Sequence, residues 1–350
     1  MIGIILTIEP LVSRVDVVKN GVVQKDAAAV ETNPEDALAC AYKWRRENTS
    51  KHLDFITAYV PFTGDAFSGP IRVNDSVMEK LDALCLQAPA HIPSTCAAIR
   101  AAQTVLPPGT PVILVSGTAF FARLPRRESA YGLPPDLMHR LRLQRTGYHG
   151  LFHEAAYHHA RRCFRSAEGQ TPMRILSLCL DSKPELAAIF NGRPVMVTGG
   201  ATPLEGLPGE TTCGEIDASL ALTLVEKAGM GPQHIGTLLA QESGLKGLTG
   251  RTCTFPDLFR SKTPESLAAR EIFCYRLLLA CGAGIAALSG VEGIAFSGRY
   301  AGLANEIGTD LVEKLERAMR NQQTPLRWTV FKESIAKLIA DKAQAALRIA

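Results

Sequence analysis

At 350 residues the chain is long enough for two compact domains, each with an ample core. It is 46% hydrophobic and 21% charged, as expected of an ordinary α/β protein, and its net charge of +4 is small for this length. No basic block or arginine stripe marks a nucleic-acid surface, and the densest basic spot, Arg161, Arg162 and Arg165, reads as a solvated helix face.

In chain order, the first twenty-five residues alternate as a hairpin, with strands at 3–8 and 13–18, a turn at Lys19, Asn20 and Gly21, and a third strand opening at Val22. Asn33 and Pro34 start a helix to about Arg46, and 54–60 is a strand. Helices follow at 75–85 and 94–104, then a buried strand at 111–116. Prolines 125, 134 and 135 punctuate the chain before a helix to about Leu143 and another at 153–165. Residues 174–180, 186–190 and 194–197 form a meander with Asn191 and Gly192 as a turn. Helical patterns cover 217–228, 231–239, 264–288, 303–318 and 332–349, with a strand at 293–297. Two hairpin-plus-helix units, near residues 1 and 174, repeat in arrangement without repeating in sequence.

The nine cysteines are scattered, odd in number and without a CxxC pair, which fits reduced core thiols in a cytoplasmic protein. The N-terminus, MIGIILTIEPLV, reads as a strand and not as a signal peptide. The longest apolar run, 277–291, is short and interrupted by glycine, so no membrane span is expected.

Five colinear segments carry a resemblance. QAPAHIPSTCAAIRAAQ (87–103), VILVSGTAFFARLP (112–125), TGYHGLFHE (146–154), TPLEGL with the trailing GEID (202–217) and GVEGIAFSG (290–298) are similar to the "APLHNP", "FDTAFH", "GFHGTSH", "FTPLEGLMMGTRSGDID" and "GVDxIVFTGG" segments of the acetate/propionate kinase family. The resemblance implies an α/β, two-domain actin-like ATPase fold, a duplicated ribonuclease-H-like architecture with an interdomain cleft. It places one domain at 1–119 plus 335–350 and the second, which carries the probable dimer surface, at 120–334. It implies a Mg-ATP-dependent phosphoryl transfer to acetate or another short carboxylate and a homodimer, while charge pattern and apolar run length set the expectation of no nucleic-acid or membrane partner.

Several positions hold residues unsuited to that chemistry, which needs charge neutralisation, a metal ion and backbone donors aimed at phosphate. By the resemblance, Gly117 stands for the family's catalytic Asp, Thr212 for its transition-state Arg and Tyr59 for a substrate Arg. The first phosphate turn reads Thr7, Ile8, Glu9, Pro10, Leu11, Val12; Pro10 has no N–H to donate and Glu9 repels anions. Arg14 falls where the family often has Lys, and fits an exposed strand residue equally. The second phosphate loop reads Cys179, Leu180, Asp181, Ser182, Lys183, Pro184, Glu185; it has lost its glycines and reads as a solvated turn.

His91 and His149 stand where family histidines line the cleft. His149 would stabilise the transferring phosphoryl group or pack the turn before the next helix, and with His153 it has the i, i+4 spacing of a metal pair. Gly298, Arg299, Tyr300, Thr202 and Gly206 are the nucleotide-side candidates, and Tyr300 could stack on a base. Glu333 matches the family's metal-associated Glu or is a helix-surface residue. Glu205 and Asp217 fit structural roles, Asp217 at a helix N-terminus. The expectation is a family member with lost or strongly reduced kinase activity and a ligand-binding or regulatory role. The alternative is an active acyl kinase with a rearranged site.

Overall fold

The computed structural model describes residues 1–8, 13–31, 34–49, 52–85, 92–105, 107, 109–164, 173–319 and 325–349. The chain divides into two compact units, 1–123 with 333–350, and 124–332.

The first unit opens with β1 (Ile2–Ile8), β2 (Ser13–Lys19), β3 (Val22–Glu31) and α1 (Pro34–Asn48). It continues through β4 (Phe55–Val60), β5 (Ile71–Arg72), α2 (Asp75–Asp82), α3 (Ile92–Val105) and β6 (Val112–Ser116). Its sheet order is β3-β2-β1-β4-β6-β5, with β1, β4 and β6 parallel. The β2–β3 hairpin turns on Asn20 (φ 54°) and Gly21 (φ 80°), the left-handed pair that matches strand twist. Apolar residues cover both faces of the parallel strands: Ile4, Leu6 and Ile56 pack with Leu38 and Ala41 of α1, while Ala58, Val60 and Leu114 pack with Leu81 and Ile99. The two-residue β5 was not expected; it borrows its backbone bonds from Ile113 and Leu114.

The second unit contains α4 (Arg126–Ser129), α5 (Pro135–Leu141), α6 (Gly150–Cys163), β7 (Arg174–Cys179), β8 (Glu185–Phe190) and β9 (Arg193–Val197). It continues through α7 (Ala218–Ala228), α8 (Pro232–Gln241), α9 (Gly244–Thr249), α10 (Phe255–Arg260), α11 (Pro264–Leu288), β10 (Gly293–Ser297), α12 (Ala304–Ala318) and β11 (Arg327–Val330). The sheet order is β11-β10-β7-β8-β9, with β7, β10 and β11 parallel. Asn191 (φ 48°) and Gly192 (φ 82°) repeat the hairpin turn of the first unit. Phe273, Leu277 and Cys281 of α11 pack with Leu176, Leu186, Ile294 and Phe296. The chain then returns to the first unit as α13 (Ile335–Ile349). The short helices α9 and α10 and the strand β11 lie outside the sequence reading. Each is only four to six residues long, too short for periodicity to register.

Three expectations need correction. Helix α6 begins at Gly150, three residues earlier than expected, because His149 is its N-cap residue. Glu333 is exposed and precedes α13, so it does not sit on a helix surface. Helix α11 runs 25 residues with a mean hydropathy of 1.6 in its most apolar window, long and apolar enough to cross a membrane, where the sequence reading considered only 277–291. One stripe of that helix, with Phe273, Leu277 and Cys281, enters the core, and Glu265, Arg270, Glu271 and Arg276 lie elsewhere along the helix.

Candidate functional site

Tyr59 and Gly117 lie at the carboxyl ends of β4 and β6, and Gly298, Arg299 and Tyr300 follow β10, at the strand ends where open α/β sheets expose loops for ligands. In the first unit, Tyr59 ends β4 and Gly117 follows β6, joined by the Gly117 N–H to Val60 carbonyl bond of 2.8 Å. Beside them Thr63 and Ser116 hydroxyls lie 2.6 Å apart, and Thr118 donates to the Gly64 carbonyl at 2.8 Å. This buried hydroxyl network ties the 61–64 turn against Gly117. A Cβ at 117 would stand 2.5 Å from the Pro61 carbonyl oxygen and 2.8 Å from the Tyr59 hydroxyl. The space where a carboxylate side chain would begin is filled by backbone and by the Tyr59 tip. Residues 9–12 of the first phosphate turn, including Glu9 and Pro10, and His91 lie outside the described residues. Arg14, on β2, pairs with the buried Asp16 at 3.1 Å, which agrees with the strand-residue reading.

In the second unit the turn after β7 is not solvated. All three of its charged side chains are used inside the unit. Asp181 accepts from the Ser182 N–H at 2.8 Å and pairs with Arg299 at 3.5 Å. Lys183 donates to the Leu207 carbonyl at 2.6 Å and reaches the Leu204 carbonyl at 3.4 Å. Burial pushes the Lys183 ammonium down to about 8, against the opposing pull of Glu185. Glu185, 3% exposed, accepts from the Tyr148 N–H at 2.9 Å, the His149 N–H at 3.0 Å and the His153 ring at 3.1 Å. It therefore occupies the N-terminus of α6, where orphan amides and the helix dipole favour an anion. The sequence reading took this turn for a solvated one because a burial pattern is invisible in seven polar and apolar residues with no period.

The Glu185 and His153 pair has a definite protonation sense. Burial raises the Glu185 carboxyl, but the bond from His153 and the nearby His149 outweigh it and leave the group below its ordinary value. Burial holds His153 below its ordinary 6.5 despite the carboxylate beside it. A neutral His153 donating Nε2–H to an ionised Glu185 satisfies both. Its Nδ1 then accepts from the Ser177 hydroxyl at 2.9 Å. Both ring nitrogens of His153 are thereby committed, so His149 and His153 do not form a metal pair. His149 places Nε2 2.9 Å from the Lys183 carbonyl and makes no side-chain cap.

The nucleotide-side candidates meet the same turn. Leu180 N–H donates to the Ser297 carbonyl at 2.8 Å, and Tyr300 N–H donates to the Leu180 carbonyl at 2.9 Å. Gly298 has φ 89°, and a Cβ there would stand 2.5 Å from the Leu180 oxygen, so only glycine permits this contact. Burial and a hydrogen bond to Glu210 raise the Tyr300 phenol. Glu210 also accepts from the Phe255 N–H at 3.1 Å, and its own N–H donates to the Ser182 carbonyl at 2.7 Å. Gly209 lies against Ser182 and Lys183 and against the Thr212 hydroxyl, and the buried Thr212 Oγ1 has no hydrogen-bond partner.

Within the TPLEGL segment, Thr202 is exposed, and Gly206 adopts φ 97°. Glu205 pairs with Arg145 and accepts from Tyr131 at 2.5 Å, which with burial lifts the Tyr131 phenol to about 12. A pocket of about 590 Å³ opens between this segment and α11, with Arg145, Glu205, Thr198, Leu207 and Arg276 among its lining residues. Asp217 is the N-cap of α7, accepting from the Ser219 N–H at 2.8 Å, as its position suggested. Sequence reasoning placed Glu185 in a solvated turn and missed Ser177 and Glu210. The register Cys179↔Glu185 makes Glu185 the first residue of a buried strand, and only that pairing reveals it.

These residues do not fit a metal-bound polyphosphate. The Ser182 N–H is spent on its neighbour's carboxylate, Pro184 has none, and Asp181, Glu185 and Glu210 supply fixed negative charge among the segments that would have to grip an anion.

Comparisons with known proteins agree with this fold. The Acetokinase family model matches residues 11–332. An acetate kinase of Thermosipho africanus is 31% identical over 251 residues, 71% of this chain and 61% of that protein. One from Rhodopseudomonas palustris is 32% identical over 284 residues, 81% of this chain and 70% of that protein. The chain thus spans about three fifths of the length of the Thermosipho relative. The crystal structure of Porphyromonas gingivalis acetate kinase superposes with a TM-score of 0.85 at 20% identity, covering 99% of both chains. That of a Francisella tularensis propionate kinase gives 0.86 at 20% identity, covering 98% and 99%. The actin-like ATPase fold expected from the sequence is therefore the fold of this protein. The chain belongs to the acetokinase family.

Proposed function

We propose that this chain keeps the family scaffold but has lost, or nearly lost, ATP-dependent phosphorylation of short carboxylates, and acts by binding a small ligand or a partner. The observation that carries this reading is the closed space at Gly117, where Pro61 and Tyr59 exclude the side chain that the family reaction needs. The inward-turned charges of residues 181–185 support it, because a turn that satisfies its own donors has none to offer a phosphate. The pocket beside Arg145 and Arg276 is of a size to take a small carboxylate. The alternative, an active acyl kinase with a rearranged site, is favoured by the names of the relatives at 31% identity and by the survival of His149.

Purified protein supplied with Mg-ATP and acetate, propionate or butyrate, with acyl phosphate trapped by hydroxylamine, separates the two. Loss of a transition-state arginine alone costs about 10³–10⁵ in rate, so turnover is expected below about 0.01 s⁻¹ against a typical 10 s⁻¹. Turnover near 1 s⁻¹ would establish the alternative. Melting in millimolar Mg-ATP is expected to be unshifted, whereas a ligand at a hundred times its Kd adds about 2.7 kcal/mol.

The assembly belongs to the same proposal: a cytoplasmic homodimer, paired through α11 as the resemblance implies. Helix α11 leaves Leu267, Ile272, Tyr275 and Leu279 exposed by 41%, 41%, 57% and 48%, and α7 buries no residue at all. Apolar area of this kind marks an interaction surface. Light scattering on Tyr275→Glu with Leu279→Glu is expected to show a monomer where the parent chain gives a dimer; a monomeric parent chain would remove this part of the reading.

A further inference from the structure

The geometry points to Cys163 as a reactive thiol, a site of thiol–disulfide exchange with small-molecule disulfides, with His159 as its base. Cys163 is exposed and closes α6, one turn after His159 on the same helix face. The His159 Nε2 lies 3.4 Å from the Cys163 Sγ and 3.1 Å from the Thr329 Oγ1, and the Thr329 hydroxyl points at the same sulfur from 3.6 Å. The three groups are brought together by the packing of β11 beside α6, which is 166 residues distant in sequence. The His159 ring rests on Phe331, with centroids 5.7 Å apart, so it is held in place rather than swinging in solvent. Burial and the neighbouring Arg162 keep it below its ordinary value, hence neutral near pH 7 and able to accept a proton. Arg327, on the same face of β11 as Thr329, donates to the Phe164 carbonyl at 3.1 Å and adds a second cation next to the thiol's neighbour.

The exchange balances as follows. His159 takes the thiol proton, the thiolate attacks one sulfur of the disulfide, and the S–S bond breaks as the new Cys163 S–S bond forms. The departing thiolate recovers the proton from the imidazolium. No other oxidant is needed. The negative end of the α6 dipole opposes a thiolate at this position, so the reactivity depends on His159 and the arginines. The competing thiols are worse placed. Cys96, Cys179, Cys253 and Cys281 are buried, Cys85 is half-buried with its thiol turned to the Leu81 carbonyl at 4.0 Å, and burial raises the thiols of Cys213 and Cys274. Cys40 is the other exposed cysteine, and no base faces it among the hydrogen bonds of the described residues.

Cys40 therefore serves as an internal reference. The protein is incubated with glutathione disulfide at pH 7, quenched in acid and mapped by peptide mass at successive times. Cys163 is expected to form its mixed disulfide about fivefold or more faster than Cys40, below a ceiling of roughly thirtyfold set by the thiolate fraction of an ordinary thiol. His159→Gln should bring the Cys163 rate down to that of Cys40 and leave the Cys40 rate unchanged. Thr329→Val should lower the Cys163 rate by a smaller factor. Equal rates at Cys163 and Cys40 in the parent chain would overturn the proposal by themselves, whatever the variants do. A Cys163 rate indifferent to His159→Gln would overturn the role of the base. Modification of Cys179 or Cys281 in a variant reports unfolding, and the parent-chain comparison then decides.

Discussion

Glu185→Ala is expected to lower the melting temperature of the second unit by about 10 °C. Three donors converge on this carboxylate, the Tyr148 and His149 amides and the His153 ring, all in a region closed to water. Removing one partner of a buried, hydrogen-bonded charge costs about 3–5 kcal/mol, because the donors left behind stay desolvated. For a unit of about 200 residues each kcal/mol moves the midpoint by roughly 2–4 °C. Glu185→Gln should cost less, about 1–3 kcal/mol, since its amide keeps an acceptor but turns an N–H toward one donor. Calorimetry at pH 7.5 checks both; a change under 1 °C for the alanine variant would show that the cluster contributes nothing.

The pH dependence of that difference has a fixed sign. Glu185 sits below its ordinary 4.5 in the folded chain, so the unfolded chain binds its proton first on acidification. Its contribution is fully present above about pH 4.5 and is lost as pH falls through the folded value. His153 also sits below its ordinary 6.5, so it too makes the folded state less favourable as pH drops below 6.5. The gap between the parent chain and Glu185→Gln should stay constant from pH 8 to about 5 and then narrow. A gap that widened on acidification would mean that the carboxyl is protonated in the folded chain.

The second large effect concerns attempted repair. Gly117→Asp combined with Thr212→Arg puts back the residue types that the family resemblance calls for, yet it is expected to yield no measurable acyl phosphate. Gly117→Asp alone should destabilise the first unit by about 2–4 kcal/mol, combining overpacking with a carboxylate placed against a backbone carbonyl. The Pro61 carbonyl is backbone, in a turn that the Thr63, Ser116 and Thr118 network ties down beside it. Adding Tyr59→Ala should recover part of the stability and none of the activity, since the turn at 181–185 still spends its donors on itself. Activity within tenfold of an ordinary kinase in the double variant would show that the turns can still grip a phosphate.

The scaffold was legible because its signals are local or periodic. Asn20–Gly21 and Asn191–Gly192 announce hairpins by the left-handed backbone they demand, and the β-branched runs 3–8 and 112–116 announce buried strands. TPLEGL and GVEGIAFSG carried the family. Gly117, Thr212 and Pro184 were legible as departures from the residue types that the resemblance calls for, since residue type is read without knowing where a position lies in space.

What the chain alone could not supply was the partner of each charge. Asp181, Lys183 and Glu185 look like a solvated turn when read in line, because their partners stand 118, 21 to 24 and 32 to 37 residues away. The same holds for the Cys163–Thr329 contact. Type and periodicity are properties of a segment, so the sequence by itself determined the fold and the family. Burial and charge pairing are properties of what packs against a segment, so only the tertiary structure decided that the charges of the turn after β7 are spent on the protein's own groups.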